Sequence, residues 1–295
     1  MNNPGLPILF ATDKSYIPHL ATALYSLLLN NKDINIRVVI FTGGIDSEDQ
    51  EKLDMIASGF GVELEFIELN DEFFDGLKLN HHFKKSNYYR LFAADFIRDK
   101  SCLYLDADII VTGSVKDVIE VKLDKNYLAA VENPGFHPHE KLGIHAASKY
   151  FNSGVMLLNL EKWRHAGVKD KVIALTKEKP ESIRFVDQCG LNGVVDGRWL
   201  ELDPRFNCQS YMLTKDSQFR YDEKKKPVVI HFTGSGKPWH MNNKHPYKKL
   251  YWEYRSKTPY RSFFPDDFSF SAAIRYATPQ LAKDLVKRSI EKSRK

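Results

Sequence analysis

The chain has 295 residues, of which 43% are hydrophobic, 27% charged and 13% aromatic, with a formal net charge of +5. This balance excludes disordered, collagen-like and low-complexity classes, and the length suits one large domain or two small ones with room for a core and a cleft. The longest uncharged run, residues 15–31, has 17 residues and includes His19, Asn30 and Asn31. It falls short of the roughly 20 apolar residues that a membrane span needs.

Residues 6–12 are too short an apolar stretch for a secretory leader and stop at Asp13. Cys102, Cys189 and Cys208 show no paired spacing, so no disulfide framework is expected and a reducing, cytoplasmic setting is the default. Charge is uneven. Residues 283–295 hold six basic and two acidic side chains, a net of +4, which leaves the preceding 282 residues at +1. A near-neutral body with a basic tail does not fit a nucleic-acid binder, but it does fit attraction to an anionic membrane face.

In chain order, residues 7–11 read as a buried strand and 16–29 as a helix with Leu20, Ala23, Leu24, Leu27 and Leu28 on one face. Residues 35–41 are β-branched and strand-like, 46–58 helical, and 62–69 alternating and strand-like. A helix is expected over 86–97 and a buried strand over 102–105. This alternation predicts a mostly parallel sheet covered by helices. Further on, strands are expected at 127–131, 154–160 and 227–232, and helices at 161–177, 186–195 and 247–255. The chain changes character at Pro259. Thr278-Pro279 starts a helix whose apolar stripe, Leu281, Leu285, Val286 and Ile290, underlies the basic residues. We therefore divide the chain into a catalytic domain, 1–258, and a basic amphipathic helical extension, 259–295.

An apolar strand runs straight into Asp106-Ala107-Asp108. Ligands of open α/β sheets bind beyond the carboxyl ends of strands. Two carboxylates there repel each other, and a divalent metal is a natural compensator; solvated acids at a strand-end turn are the plainer alternative. His231 ends another apolar strand and is the natural third ligand, and two carboxylates with an imidazole suit Mn²⁺ better than Ca²⁺. The loop Gly234-Ser235-Gly236-Lys237 is not a P-loop, because position 231 is His and position 238 is Pro. Gly59-x-Gly61 and Gly234-x-Gly236 both lack the third glycine of a dinucleotide fingerprint. Glycines plus a lysine still suit a diphosphate. Lesser candidates are a zinc site at His137, His139 and His145, a nucleophilic Cys189, and a nucleic-acid surface on the basic, aromatic stretch 247–254.

Six blocks in order then match one family. Phe10-Ala11-Thr12-Asp13, Tyr88-Tyr89-Arg90-Leu91, Leu103 to Asp108, Phe151-Asn152-Ser153-Gly154, Asp187-Gln188 and His231 to His240 carry a match that covers about residues 6–255. The chain resembles glycosyltransferase family 8, the retaining lipooligosaccharide galactosyl- and glucosyltransferases. The resemblance implies the GT-A nucleotide-sugar-binding fold and a UDP-galactose or UDP-glucose donor. It implies Mn²⁺, with Mg²⁺ as the alternative, on Asp106, Asp108 and His231.

By the same resemblance, Ala11, Thr12 and Asp13 bind the base, with Ala107 beside the metal-bound diphosphate. Gly234 and Lys237 contact phosphate, assisted by His82. Arg90, Asn152, Asp187 and Gln188 surround the donor sugar, and Asp187 and Gln188 are the catalytic candidates. Cys189 stands where some relatives carry an acid, and Asn133 where galactosyl-transferring relatives carry Asp. The implied acceptor is a saccharide of bacterial surface glycan or lipopolysaccharide, lipid-linked in the resembling enzymes. Residues 265–295 are then expected to meet the inner face of the cytoplasmic membrane. A non-catalytic UDP-sugar binder or scaffold is the competing class.

Overall fold

A computed structural model describes residues 5–77, 84–136, 139–214, 217–218, 221–222, 224–261 and 265–268. Its first part alternates β1 (Leu6–Thr12), α1 (Ile17–Leu29), β2 (Ile36–Thr42), α2 (Ser47–Ser58) and β3 (Leu64–Glu68). Helix α2 starts where the Asp46 carboxylate accepts the Asp49 N–H at 2.9 Å, with two further acids in its first turn. After α3 (Ala93–Phe96) come β4 (Ser101–Leu105), β5 (Ile109–Val111), α4 (Lys116–Ile119) and β6 (Leu128–Glu132). The remainder comprises α5 (His139–Leu142), β7 (Phe151–Asn159), α6 (Leu160–Ala166), α7 (Val168–Glu178) and α8 (Val186–Val195). It ends with β8 (Trp199–Glu201), β9 (Cys208–Gln209), β10 (Val229–His231) and α9 (Lys248–Arg255).

Seven strands form one sheet in the order β3-β2-β1-β4-β7-β6-β8, and β7 alone runs against its neighbours. The expected mostly parallel α/β architecture is therefore present. Strand alternation splits the core into two layers. Ile8, Phe10, Val38, Ile40, Leu103 and Leu105 face α1 and α2. Leu9, Val39, Cys102, Tyr104, Met156 and Leu158 face α6, α7 and α8. The chain runs outward from β1 to β3, then returns to place β4 on the other side of β1. That reversal opens a crevice at the carboxyl ends of β1 and β4, where Asp13 and Asp106 lie. A second sheet, β5-β10-β9, stands beside it.

Three local expectations change. The helix expected over 86–97 is a 3₁₀ segment, Lys85–Phe92, followed by the short α3. There Arg90 Nε takes the Asn87 carbonyl at 3.2 Å, the acceptor an α-helix would give to Leu91 N–H. The helix expected over 161–177 is two, α6 and α7, divided at Gly167 with φ of +60°. The short strands β8 and β9 have no counterpart in the sequence reading.

The aromatics of α9 turn inward. Tyr251 is buried, Trp252 Nε1 donates to the Pro238 carbonyl at 3.1 Å, and the Tyr254 hydroxyl accepts from Asn30 at 3.1 Å. Lys249 points to solvent. This is a packed helix with a solvated lysine face. Past Pro259 the described residues still adhere to the domain. The Tyr260 hydroxyl donates to Asp49 at 2.7 Å, and Asp266 meets His19 at 3.1 Å and Arg255 at 3.4 Å. The helix expected from Thr278 onward lies outside the described residues.

Candidate active site

The carboxylate pair is held from both sides. Asp106 N–H donates to the Gly154 carbonyl at 2.8 Å, and the Tyr104 hydroxyl donates to Asp106 Oδ1 at 2.5 Å. Antiparallel pairing of β10 with β5 sets His231 opposite Ile109, next to Asp108. His231 Nε2 then lies 3.5 Å from Asp106 Oδ2 and 3.3 Å from Asp108 Oδ1. Asp106, Asp108 and His231 present ligand atoms all within 4.8 Å of one another, the one such cluster among the described residues. Gly154 makes this convergence possible. A Cβ there would sit 2.1 Å from His231 Cε1 and 2.7 Å from Asp106 Oδ2.

The donor set fits the implied metal: two carboxylate oxygens and one imidazole nitrogen suit Mn²⁺, and Mg²⁺ less well. Burial alone pushes Asp108 up, but Lys237 and His231 outweigh it and hold its carboxyl well below the usual range. Lys237 Nζ contacts Asp108 Oδ2 and donates to the Phe232 carbonyl at 2.6 Å. The turn carrying this lysine passes through Gly234, whose φ of +81° an L side chain rarely adopts.

Arg90 joins this cluster to the other candidate residues. Its side chain is buried beneath the site, stacked 4.3 Å from the Tyr104 ring centre. The guanidinium reaches Asp106 at 2.9 Å, Asp187 at 3.2 Å and the Ser153 carbonyl at 2.7 Å. Burial pushes Asp187 up to about 6; Arg90 opposes the shift and the Asp106 charge adds to it. Gln188 Oε1 accepts Ser153 N–H at 3.0 Å, and its Nε2 donates to the Tyr150 hydroxyl at 3.4 Å. Both residues open α8 through Val186, a β-branched residue at φ of +21°, which is a strained entry. Asn152 lies beside Ser153 and is nearly buried.

At the end of β1, Ala11 and Thr12 are buried and Asp13 faces the crevice. Asp13 accepts from Ser15 N–H at 2.9 Å and Ser86 Oγ at 3.1 Å, and pairs with Lys84 at 3.2 Å. Burial raises its carboxyl, and the Ser15 and Lys84 contacts bring it below its ordinary value. Ala107 is buried between Asp106 and Asp108, whereas His82 lies outside the described residues. The structure thus brings together Asp106, Asp108, His231, Lys237, Arg90, Asn152, Asp187 and Gln188.

A model of the family Glycosyl transferase family 8 matches residues 7–243. The chain belongs to this family. General stress protein A of Bacillus subtilis (strain 168) is 32% identical over 270 residues, covering 86% of this chain and 94% of that protein. The lipopolysaccharide 1,3-galactosyltransferase of Salmonella typhimurium is 29% identical, covering 86% and 78%. Two pneumococcal glycosyltransferases are longer, and the chain spans 61% and 62% of their length. The crystal structure of galactosyltransferase LgtC with donor and acceptor sugar analogues superposes with a TM-score of 0.79 at 26% identity, covering 86% of this chain and 96% of that one. The family 8 fold here is accordingly of the GT-A type.

Other candidates fare differently. The Cys189 thiol is buried, which pushes its pKa up, and its sulfur accepts from Phe185 N–H at 3.2 Å and the Tyr150 hydroxyl at 3.3 Å. It is a protonated packing group. His137 and the His139 side chain lie outside the described residues, and His145 is exposed, its Nδ1 accepting from Ala147 N–H at 3.2 Å. Asn133 accepts from the Tyr211 hydroxyl at 3.2 Å. Beside it a cavity of about 370 Å³ is lined by Glu132, Glu201, Asp203 and Tyr221 among others. Sequence reasoning missed Asn207, Tyr104 and the steric role of Gly154. Asn207 follows a short 3₁₀ turn with no spacing signal, and only the fold brings it to His231.

Proposed function

We propose that the chain is a retaining hexosyltransferase that moves galactose or glucose from a UDP-sugar to a saccharide acceptor. Asp106, Asp108 and His231 would hold Mn²⁺. The observation that carries this reading is their convergence, tied through Arg90 to Asp187 and, by way of Ser153, to Gln188. When bound, the cation supplies charge neutralisation on the UDP diphosphate. Lys237 adds a second positive charge from the loop after β10, a preorganised electrostatic aid to the leaving group. Ala11, Thr12 and Asp13 are assigned to the base, and Gly234 and His82 to the phosphates.

In the reaction, the anomeric carbon–phosphate oxygen bond breaks and a bond to the acceptor oxygen forms on the same face. The acceptor proton passes to the leaving phosphate oxygen. Retention through a covalent intermediate would need a free carboxylate beside the anomeric carbon. Asp187 is instead engaged by Arg90 and lies at hydrogen-bond distance, 3.3 Å, from Ser153 Oγ, which supports direct front-face transfer. Gln188 is assigned to the positive charge that develops on the ring.

The test is UDP release from a panel of UDP-sugars with Mn²⁺. Slow hydrolysis of one hexose donor is expected, abolished in Asp106→Ala, Asp108→Ala. UDP binding without release from any donor, even with a lipooligosaccharide acceptor mixture, would leave a non-catalytic binder.

The acceptor is proposed to be a bacterial surface glycan, in keeping with the similarity to the lipopolysaccharide 1,3-galactosyltransferase of Salmonella typhimurium. Among the described residues no helix is long and apolar enough to cross a membrane. Peripheral attachment at the inner face of the cytoplasmic membrane through the basic C-terminal segment is proposed instead. Because Asp266 bonds His19 and Arg255, the informative truncation ends at Phe268 rather than before it. Salt-sensitive binding to vesicles of phosphatidylglycerol is expected from the full chain. Equal binding by the truncated chain would remove the attachment proposal.

A further inference from the structure

We infer that Asn207 is a positioning residue that sets the tautomer of His231, in a hydrogen-bond relay whose polarity begins at the Gly154 backbone amide. Its geometry stands alone; its consequence for metal binding rests on the function proposed above. A backbone N–H can only donate. Gly154 N–H donates to Asn152 Oδ1 at 2.9 Å, which orients the Asn152 amide with its oxygen toward Gly154. The same oxygen receives Asn207 Nδ2–H at 2.8 Å. Asn207 therefore presents Oδ1 to its other neighbour, His231 Nδ1, at 2.9 Å. Against an acceptor, Nδ1 carries the proton, and a neutral imidazole then has its lone pair on Nε2.

Nε2 is the atom that faces Asp106 and Asp108. The relay thus ends on the nitrogen that would ligate the cation, with its lone pair free. Ring nitrogens of metal-binding histidines are commonly fixed in this way from the far side. Burial enforces the polarity: Asn207 is 0% exposed, His231 4% and Asn152 8%, so little water competes for these groups. Reversing any one amide would set like atoms face to face. Gly154 therefore acts twice, by lacking a Cβ against His231 and by donating the hydrogen bond that orders the relay.

Two substitutions separate orienting the ring from holding Asn152. Asn207→Leu removes both functions. Asn207→Asp keeps an acceptor for Nδ1–H but loses the donor to Asn152. Mn²⁺ affinity, read by electron paramagnetic resonance of the free ion with and without UDP, is expected to fall about 10- to 100-fold in Asn207→Leu. It is expected to stay within about threefold of wild type in Asn207→Asp. Equal weakening in both variants would assign Asn207 a structural role only, and wild-type affinity in Asn207→Leu would also overturn the inference.

Nitrogen-15 histidine spectra of the metal-free wild type at alkaline pH give a second reading that no variant has to survive. A proton on Nδ1 of His231 is expected, and one on Nε2 would refute the relay. If the wild type binds no Mn²⁺, the metal reading fails while the tautomer measurement still decides the relay.

Discussion

The carboxyl edge of the main sheet has two unlike ends. Around β4 and β7 the polar side chains are withdrawn from water and bonded to one another: Arg90 is 4% exposed, His231 4% and the Asp108 side chain 14%. Around β6 and β8 the charges sit in solvent. Lys149 bridges Glu132 at 3.0 Å and Glu201 at 2.7 Å, and these three side chains are 25–53% exposed. The first end is fixed by overlapping constraints, so removing one group strands another. The second is held by exposed ion pairs, each worth about 0–1 kcal/mol. The residues proposed for nucleotide and metal lie at the first end, and we propose that the acceptor is met at the second.

The largest effect is expected at Gly154. In Gly154→Ala the added methyl would occupy space held by the His231 ring and the Asp106 carboxylate, and both must move. Activity with any UDP-sugar is expected to fall by about 10²- to 10³-fold, the scale of losing electrostatic stabilisation of the leaving group. Mn²⁺ titration of the folded variant should show the affinity lost as well. Retention of both would mean that the buried end tolerates displacement and does not differ in kind from the exposed one.

Asp187 gives a pH signature of the same burial. Its carboxyl is pushed from 3.8 up to about 6, burial being the main cause. With a raised folded-state value, its contribution to stability is fully present below the unfolded value and is lost as pH rises through about 6. Asparagine does not titrate. The melting temperature of Asp187→Asn, minus that of wild type, should therefore climb between pH 3.8 and about 6 and level off above. A flat difference would show that Asp187 is better solvated than its neighbours indicate.

The sequence displays the first end better than its burial would suggest. Residues 102–105 are an uninterrupted apolar strand, so the acids that follow had to lie at its carboxyl end. Val228-Val229-Ile230 places His231 by the same logic. Neither pattern reveals that β5 and β10 pair, and that pairing is what brings His231 to Asp108. Asn207 is invisible for the same reason: it reaches His231 across 24 residues of chain, and no local periodicity encodes such a contact. Strands of two or three residues, such as β8 and β9, carry too little pattern to read and form because longer neighbours offer them an edge. The break at Gly167 is a backbone choice that composition alone cannot separate from an internal helical glycine.

The smallest effect tests the exposed end. Glu201 is 44% exposed, lines the cavity beside Asn133, and pairs with Lys149. Glu201→Lys would set two ammonium groups against each other and turn part of the cavity rim positive. Being exposed, the change should cost no more than about 1 kcal/mol of stability. It touches neither the metal cluster nor Arg90, so UDP affinity and acceptor-free hydrolysis of the donor should match wild type within about twofold. With acceptor present, KM for a neutral glycan should rise by a few fold, and KM for a phosphorylated one should fall, since the rim charge now attracts it. The two measurements are informative together. A KM that moves while donor hydrolysis stays constant keeps the ends separate and places the acceptor along β6 and β8. A fall of tenfold or more in donor hydrolysis would show that charge at the rim reaches Asp106 through the sheet edge, and the division drawn above would no longer hold.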